Sequence, residues 1–226
     1  QKLYENGLAN GVPGIRLLSA EETRAMEPGL SPEVAGALYA QRGHRQPVGI
    51  CAGHGGGGGA QRGGTPPQQP GHLHSETASG WALTTPSGVV EARYVVNAAG
   101  IRADAVHDMA APHRFTIQPT RGEYYLLDKS EGMRVQHVIF QCPNELGKGV
   151  LVSPTVHGNL IVGPDAVPVH GDDTSCTSKG LEFVKTTAQR SVPSINFGES
   201  IRNFAGVRAN LDVDDFIIGE EPEAPG

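Results

Sequence analysis

The sequence predicts a mixed α/β (α+β) fold, and three features carry that prediction. Ala92 to Asp104 contains a short β-branched run, Val95-Val96, that breaks off in small residues and leads into helix-compatible sequence with Asp104, Val106 and Met109. A continuous apolar run of this kind reads as a parallel strand covered on both faces. From Phe115 to Val207 short apolar runs are instead separated by Gly and Pro, as in an antiparallel sheet. Two helical segments, ending at Pro28 and Ser191, accompany the strands.

Taken in order, Ile15 to Pro28 is a short strand or turn followed by a helix. Ser19-Ala20-Glu21-Glu22 is a capping box, in which the Ser19 hydroxyl accepts a backbone N–H and Glu22 reaches back. Pro28-Gly29 stops that helix, and Val34 to Tyr39 is the next strand. Trp81–Thr85 and Val89–Tyr94 flank Pro86-Ser87-Gly88 as a hairpin that feeds Val95-Val96. Phe115–Leu127 follows with an interruption at Pro119-Thr120-Arg121-Gly122, then Gln136–Phe140, Gly149–Pro154 and Asn159–Gly163. His157, between Pro154 and Gly158, reads as a turn residue rather than a base. Ser178–Ser191 is the second helix, with Leu181, Val184, Lys185 and Ala188 on one mostly apolar face and Val192-Pro193 closing it. Ile201–Val207 and Phe216–Ile218 are the last expected strands.

The composition changes abruptly between Gln41 and His74, which is Gly, Pro, Gln, Arg and His with five consecutive glycines, Gly55 to Gly59. Ordering each residue costs about 1–2 kcal/mol of backbone entropy, and only Val48, Ile50 and Leu73 are large aliphatics there. The segment 41–75 is therefore expected to be disordered as written. Gly53, Gly55 and Gly58 satisfy G-x-G-x-x-G, but Gly63-Gly64-Thr65-Pro66-Pro67 follows where a phosphate-binding helix is needed. That match is rejected. A frameshift is the favoured origin of the segment, with a genuine linker as the alternative. Codons for Gln41 through Thr65 can be chosen so that the next frame reads SAGIVSPWEFALAMAEVAVRNGVEL, a turn, an amphipathic helix and an Asn-Gly stop.

A net charge of -6 argues against nucleic acid, and no basic stripe interleaved with aromatics is present. No apolar stretch reaches the length of a membrane span, and Gln1 to Asn10 lacks the order of a secretory signal. Cys51, Cys142 and Cys176 have no metal-like spacing, so no metal is expected. Their odd number fits reduced thiols and a cytoplasmic location, with peripheral membrane association as the alternative. The chain begins without Met and stops at Pro225-Gly226, which reads as a fragment.

Asn97-Ala98-Ala99-Gly100 has almost no side-chain bulk, so a ligand can approach its backbone at the carboxyl end of the preceding run. The segment closely resembles the "vvNAAG" stretch of FAD-dependent oxidoreductases of the D-amino-acid oxidase superfamily. Thr120 to Tyr125, Ser153 to Gly158, Val162-Gly163-Pro164, Phe204 to Arg208 and Asp212 to Gly219 follow in one order. Their order and spacing resemble FAD-dependent glycerol-3-phosphate dehydrogenases and L-2-hydroxyglutarate oxidases. The likeness covers nearly the whole chain outside 41–75.

The resemblance implies a partial Rossmann-like FAD domain plus an antiparallel-sheet substrate domain. Residues 1–40 and 113–205 would belong to the substrate domain, with 76–112 and the return segment 206–226 in the FAD domain. It implies FAD as cofactor, contacted at Asn97, Ala98, Ala99 and Gly100, and hydride transfer from a small anionic hydroxy compound, glycerol 3-phosphate or a 2-hydroxy acid, giving the ketone. Arg208 would clamp the anion by its planar fork, and its alternative role is a surface ion pair. Arg121 could line the site or pair with Glu123 or Asp128. Tyr124 stands where some glycerol-3-phosphate enzymes have histidine, and Arg-Gly-Glu-Tyr-Tyr looks closer to the hydroxyglutarate oxidases. Ala209 departs from the usual proline. No catalytic base and no electron acceptor are assigned. The family's N-terminal G-x-G-x-x-G and its C-terminal flavin-facing segment are absent from these 226 residues, so this piece alone is expected to be inactive. The competing expectations are a non-enzymatic small-anion-binding domain, told apart by flavin content, and a broken gene product, told apart by the nucleotide sequence.

Overall fold

A computed structural model of the chain describes residues 2–40, 72–77, 80–85, 88–142, 149–212 and 216–224. The expectations about Gln41 to Gly71, disorder and frameshift alike, lie outside the described residues. The chain divides into two compact units. The first takes residues 1–55, 122–166 and 175–205, and the second takes 56–121, 167–174 and 206–226.

The first unit opens with α1 (Lys2–Ala9), which the sequence reading missed because Gly7 and Gly11 argue against a helix there. β1 (Arg16–Ser19) leads into α2 (Ala20–Met26) through the expected capping box: Ser19 Oγ accepts the Glu22 N–H at 3.2 Å and Glu22 Oε2 accepts the Ser19 N–H at 2.8 Å. β2 (Gly36–Tyr39) pairs antiparallel with β1. The core is built on β6 (Ile117–Leu127), β7 (Ile139–Phe140), β8 (Leu151–Pro154) and β9 (Leu160–Gly163), which form consecutive antiparallel neighbours in the order β6-β9-β8-β7. Leu127 faces Leu160 across one pair and Val162 faces Val152 across the next, all without exposed surface. Helix α4 (Ser178–Ser191) lays Val184 and Ala188 on that face, followed by Val192 and Ile195. The β8–β9 turn contains His157 and closes on Gly158 at φ +86°, a conformation that favours glycine.

The second unit contains a meander of β3 (His72–Thr77), β4 (Gly80–Thr85) and β5 (Gly88–Ala92), with the expected hairpin in register Thr85 opposite Gly88. Residues 72–75 thus correct the expectation of disorder up to residue 75. Their backbone ladder with β4 supplies hydrogen bonds that a count of aliphatic side chains leaves out. β5 leaves Val89 and Val90 62 % and 51 % exposed. Val95-Val96 is not a strand, and Val96 is 87 % exposed. A parallel strand exists only between neighbours, and none of the described residues pairs with 93–99. Phe216–Ile218 is likewise outside any strand and leaves Phe216 and Ile218 86 % and 90 % exposed.

The expected interruption at Pro119 does not occur, since β6 runs on through it. The short β10 (Val167–Pro168) pairs at Arg121 and Thr120, and the Val169 N–H donates to the Pro119 carbonyl. The ladder there asks Pro119 only for an acceptor, which proline retains. β11 (Ser200–Leu211) also pairs with β6, and both strands contribute residues to each unit.

Helix α3 (Ala103–His107) stops before Met109, in a knot of charges. His107 sits between Asp108, at 3.1 Å from Nδ1, and Glu221, at 3.3 Å from Nε2. Arg114 donates to the same Glu221 oxygen at 3.2 Å. His113 Nδ1 lies 2.8 Å from Asp108 Oδ2, while its Nε2 reaches the Thr116 hydroxyl at 3.1 Å. The hydrogen bond to Asp108, and then its charge, raise the His113 pKa above the ordinary imidazole value. The reciprocal bond from His113 lowers that of Asp108.

Two outcomes follow from this packing. Leu160→Ala empties a site without exposed surface and should destabilise the first unit by about 2–5 kcal/mol, read as a lower urea midpoint. The stabilisation from His113 is fully present below the unfolded imidazole pKa, about 6.5, and is lost as pH rises through the raised folded value. A ring-proton NMR titration should place His113 above a free histidine, and Asp108→Asn should bring it back.

Candidate functional site

Asn97 to Gly100 lies in the second unit as an exposed turn. Its shape is held from within: Asn97 Nδ2 donates to the Ala103 carbonyl at 2.8 Å, and Asn97 Oδ1 accepts the Ala99 N–H at 3.3 Å. Gly100 sits at φ +59°, and no atom lies within 4 Å of where a Cβ would stand. Small side chains and this open approach fit close contact with a large planar cofactor such as FAD. Beside the turn is an open pocket of about 90 Å³ whose lining includes Trp81, Val95, Asn97, His107 and Glu221. The sequence reading missed His107 and Glu221, which lie 114 residues apart in the chain. The nearby signal was the density of titratable groups from Asp104 to Arg114.

Also in the second unit, two hydrogen bonds mark where β11 meets β6. The Asp212 N–H donates to the Thr116 carbonyl, and Asn210 Nδ2 donates to Thr120 Oγ1 at 2.9 Å. The second bond joins two side chains, so Thr120 and Asn210 share a face of the sheet. Side chains alternate along a strand. Arg208, two residues from Asn210, therefore belongs to the Thr120 face, and Arg121, one residue from Thr120, belongs to the other. Arg208 is exposed, whereas Arg121 is 6 % exposed with Nη1 2.6 Å from Asp173 Oδ2. One acidic neighbour of Arg121 is thus Asp173, on the segment after β10, in addition to the Glu123 and Asp128 that lie near it in sequence.

Tyr124 belongs to the first unit, where its ring stacks on Phe204 at 5.2 Å and 8°. The adjacent Glu123 is fully buried: its carboxylate accepts the Thr177 N–H at 2.7 Å and the Thr177 hydroxyl at 2.8 Å, at the cap of α4. Asp165 Oδ1 accepts the Glu123 N–H at 2.7 Å. Among the described residues no group of three or more His, Cys, Asp or Glu could hold a metal. Nor is any described helix long and apolar enough to cross a membrane.

Comparison with known proteins adds a family to this geometry. The chain is 41 % identical over 232 residues to the glycerol 3-phosphate dehydrogenase of Caloramator mitchellensis, covering all of this chain and 47 % of that protein. It is 27 % identical over 181 residues to the mitochondrial L-2-hydroxyglutarate dehydrogenase of Mus musculus, covering 74 % of this chain and 39 % of that one. Among solved structures, the L-alpha-glycerophosphate oxidase of Mycoplasma pneumoniae with FAD bound superposes with a TM-score of 0.81 at 25 % identity, over 93 % of this chain and 57 % of that one. The chain spans about half the length of these proteins. A family model described as FAD dependent oxidoreductase matches residues 1–226. The chain therefore belongs to the family of FAD-dependent oxidoreductases.

Proposed function

We propose that the protein of which this chain is a part oxidises glycerol 3-phosphate, with Arg208 as the clamp for the phosphate. The observation that carries this reading is the 41 % identity, over all of this chain, to a protein named glycerol 3-phosphate dehydrogenase. When bound, FAD supplies the hydride acceptor. The residues of this chain supply position and charge. Arg208 stands exposed on β11 in a Phe-Ala-Gly-Val-Arg segment, and its planar fork can meet two oxygens of an anion at once. Asn97 to Gly100 offers a low turn against which the cofactor can lie. Arg121, held by Asp173, would tune the charge behind the strand rather than grip the substrate.

A second substrate is favoured by a specific observation. Arg121-Gly122-Glu123-Tyr124-Tyr125 resembles the hydroxyglutarate oxidases, and a protein named L-2-hydroxyglutarate dehydrogenase is among the relatives. Both substrates are short hydroxylated anions, so the role of Arg208 is common to both. The domain division we propose places 1–40 and 113–205 with the substrate, and 76–112 and 206–226 with the flavin.

The test is Arg208→Ala in the full-length flavoprotein, with glycerol 3-phosphate and 2-hydroxyglutarate as substrates. A charge-assisted clamp contributes about 1.5–3 kcal/mol, so KM for the true substrate should rise about tenfold to a hundredfold while the flavin spectrum stays unchanged. An unaltered KM for both would show that Arg208 serves the fold alone.

A further inference from the structure

We propose that Asn210 and Thr120 recognise the hydroxyl-bearing end of the substrate whose anion Arg208 holds, an assignment that rests on the reading of Arg208 given above. Three side chains on two neighbouring strands carry it. The 2.9 Å bond from Asn210 Nδ2 to Thr120 Oγ1 locks the pair on the face that Arg208 shares. Arg208 and Asn210 are next-but-one neighbours on β11 and therefore stand about 7 Å apart along it.

The pair has hydrogen-bonding capacity to spare. Asn210 uses its amide N–H on Thr120, and its Oδ1 meets no donor among the described residues. The Thr120 hydroxyl points its own proton at the Gln118 carbonyl at 3.5 Å, a long and weak bond that a better acceptor can take over. Asn210 Oδ1 thus accepts from an alcohol, and the Thr120 hydroxyl both donates and accepts. Neither group is charged, so the pair contributes less to a bare anion than Arg208 does, and its free acceptor, Asn210 Oδ1, discriminates by hydroxyl content. A cation with a neutral alcohol-binding pair one strand-step away selects a short anion carrying a hydroxyl a few bonds from its charged end. An alkyl phosphate or a simple dicarboxylate lacks that second handle.

The experiment compares matched ligands on the full-length, flavin-loaded protein: glycerol 3-phosphate against propyl phosphate, and 2-hydroxyglutarate against glutarate. Steady-state kinetics read the hydroxylated member, and calorimetry reads the dissociation constant of its hydroxyl-free partner. Asn210→Leu and Thr120→Val should each lower kcat/KM for the hydroxylated substrate about tenfold, with the hydroxyl-free ligand unchanged within about twofold. Thr120→Ser should restore the loss, and Arg208→Ala should weaken both ligands. Should Asn210→Leu lose its flavin, the Thr120→Val and Thr120→Ser pair carries the same comparison. Equal losses for both ligands, or no loss from either variant while Arg208→Ala still weakens both, would overturn the assignment and leave the clamp standing. An Arg208→Ala protein that binds both ligands normally would overturn the clamp itself, and this assignment with it.

Discussion

The carboxylate of Glu123 is the constraint on which the first unit turns. It has no exposed surface, yet it is met by two donors from Thr177, the residue that caps α4. A carboxylate this deep is tolerable only with its hydrogen bonds made, and the positive end of a helix is a favourable place for it. Gly180, one turn into the helix, leaves room where any Cβ would run into Glu123 Oε1 and Asp165 Oδ2. Fixing that end of α4 directs Val184 and Ala188 onto Leu127, Leu160, Val152 and Val162. The apolar core thus takes its orientation from one polar bond set at the edge of it.

The second unit is organised differently. Its meander is a backbone device, and its charged knot around His107, Asp108, His113, Arg114 and Glu221 ties α3 to the segment near the end of the chain. Strand β6 carries a long-range contact on each face there: Arg121 goes to Asp173 on one, and Thr120 goes to Asn210 on the other. The two arginines that the sequence singles out therefore have different surroundings. One is enclosed beside Asp173, and the other lies on the exposed surface of β11.

What the sequence made legible is what local chemistry determines. Ser19 and Glu22 announce a helix start, Val192-Pro193 closes α4, and Gly88 sets a hairpin. The family could be read because several short motifs keep their order through the chain. The misreadings came from positions that depend on distant partners. Val95-Val96 has the composition of a covered strand without described neighbours to cover it, and Pro119 looks like a break in sequence because its carbonyl partner lies fifty residues away at Val169. The same reason hid Asp173 as the partner of Arg121, and Asn210 as the partner of Thr120. Composition alone could not tell which face of β6 each residue would take.

That alternation of faces has an evolutionary corollary. Exchanging one side chain for another on β11 changes a contact, whereas adding or removing one residue between Phe204 and Arg208 would turn every later side chain to the opposite side. Arg208 would then point with the Arg121 face, and Asn210 would lose Thr120. The strand can drift in composition far more readily than in length.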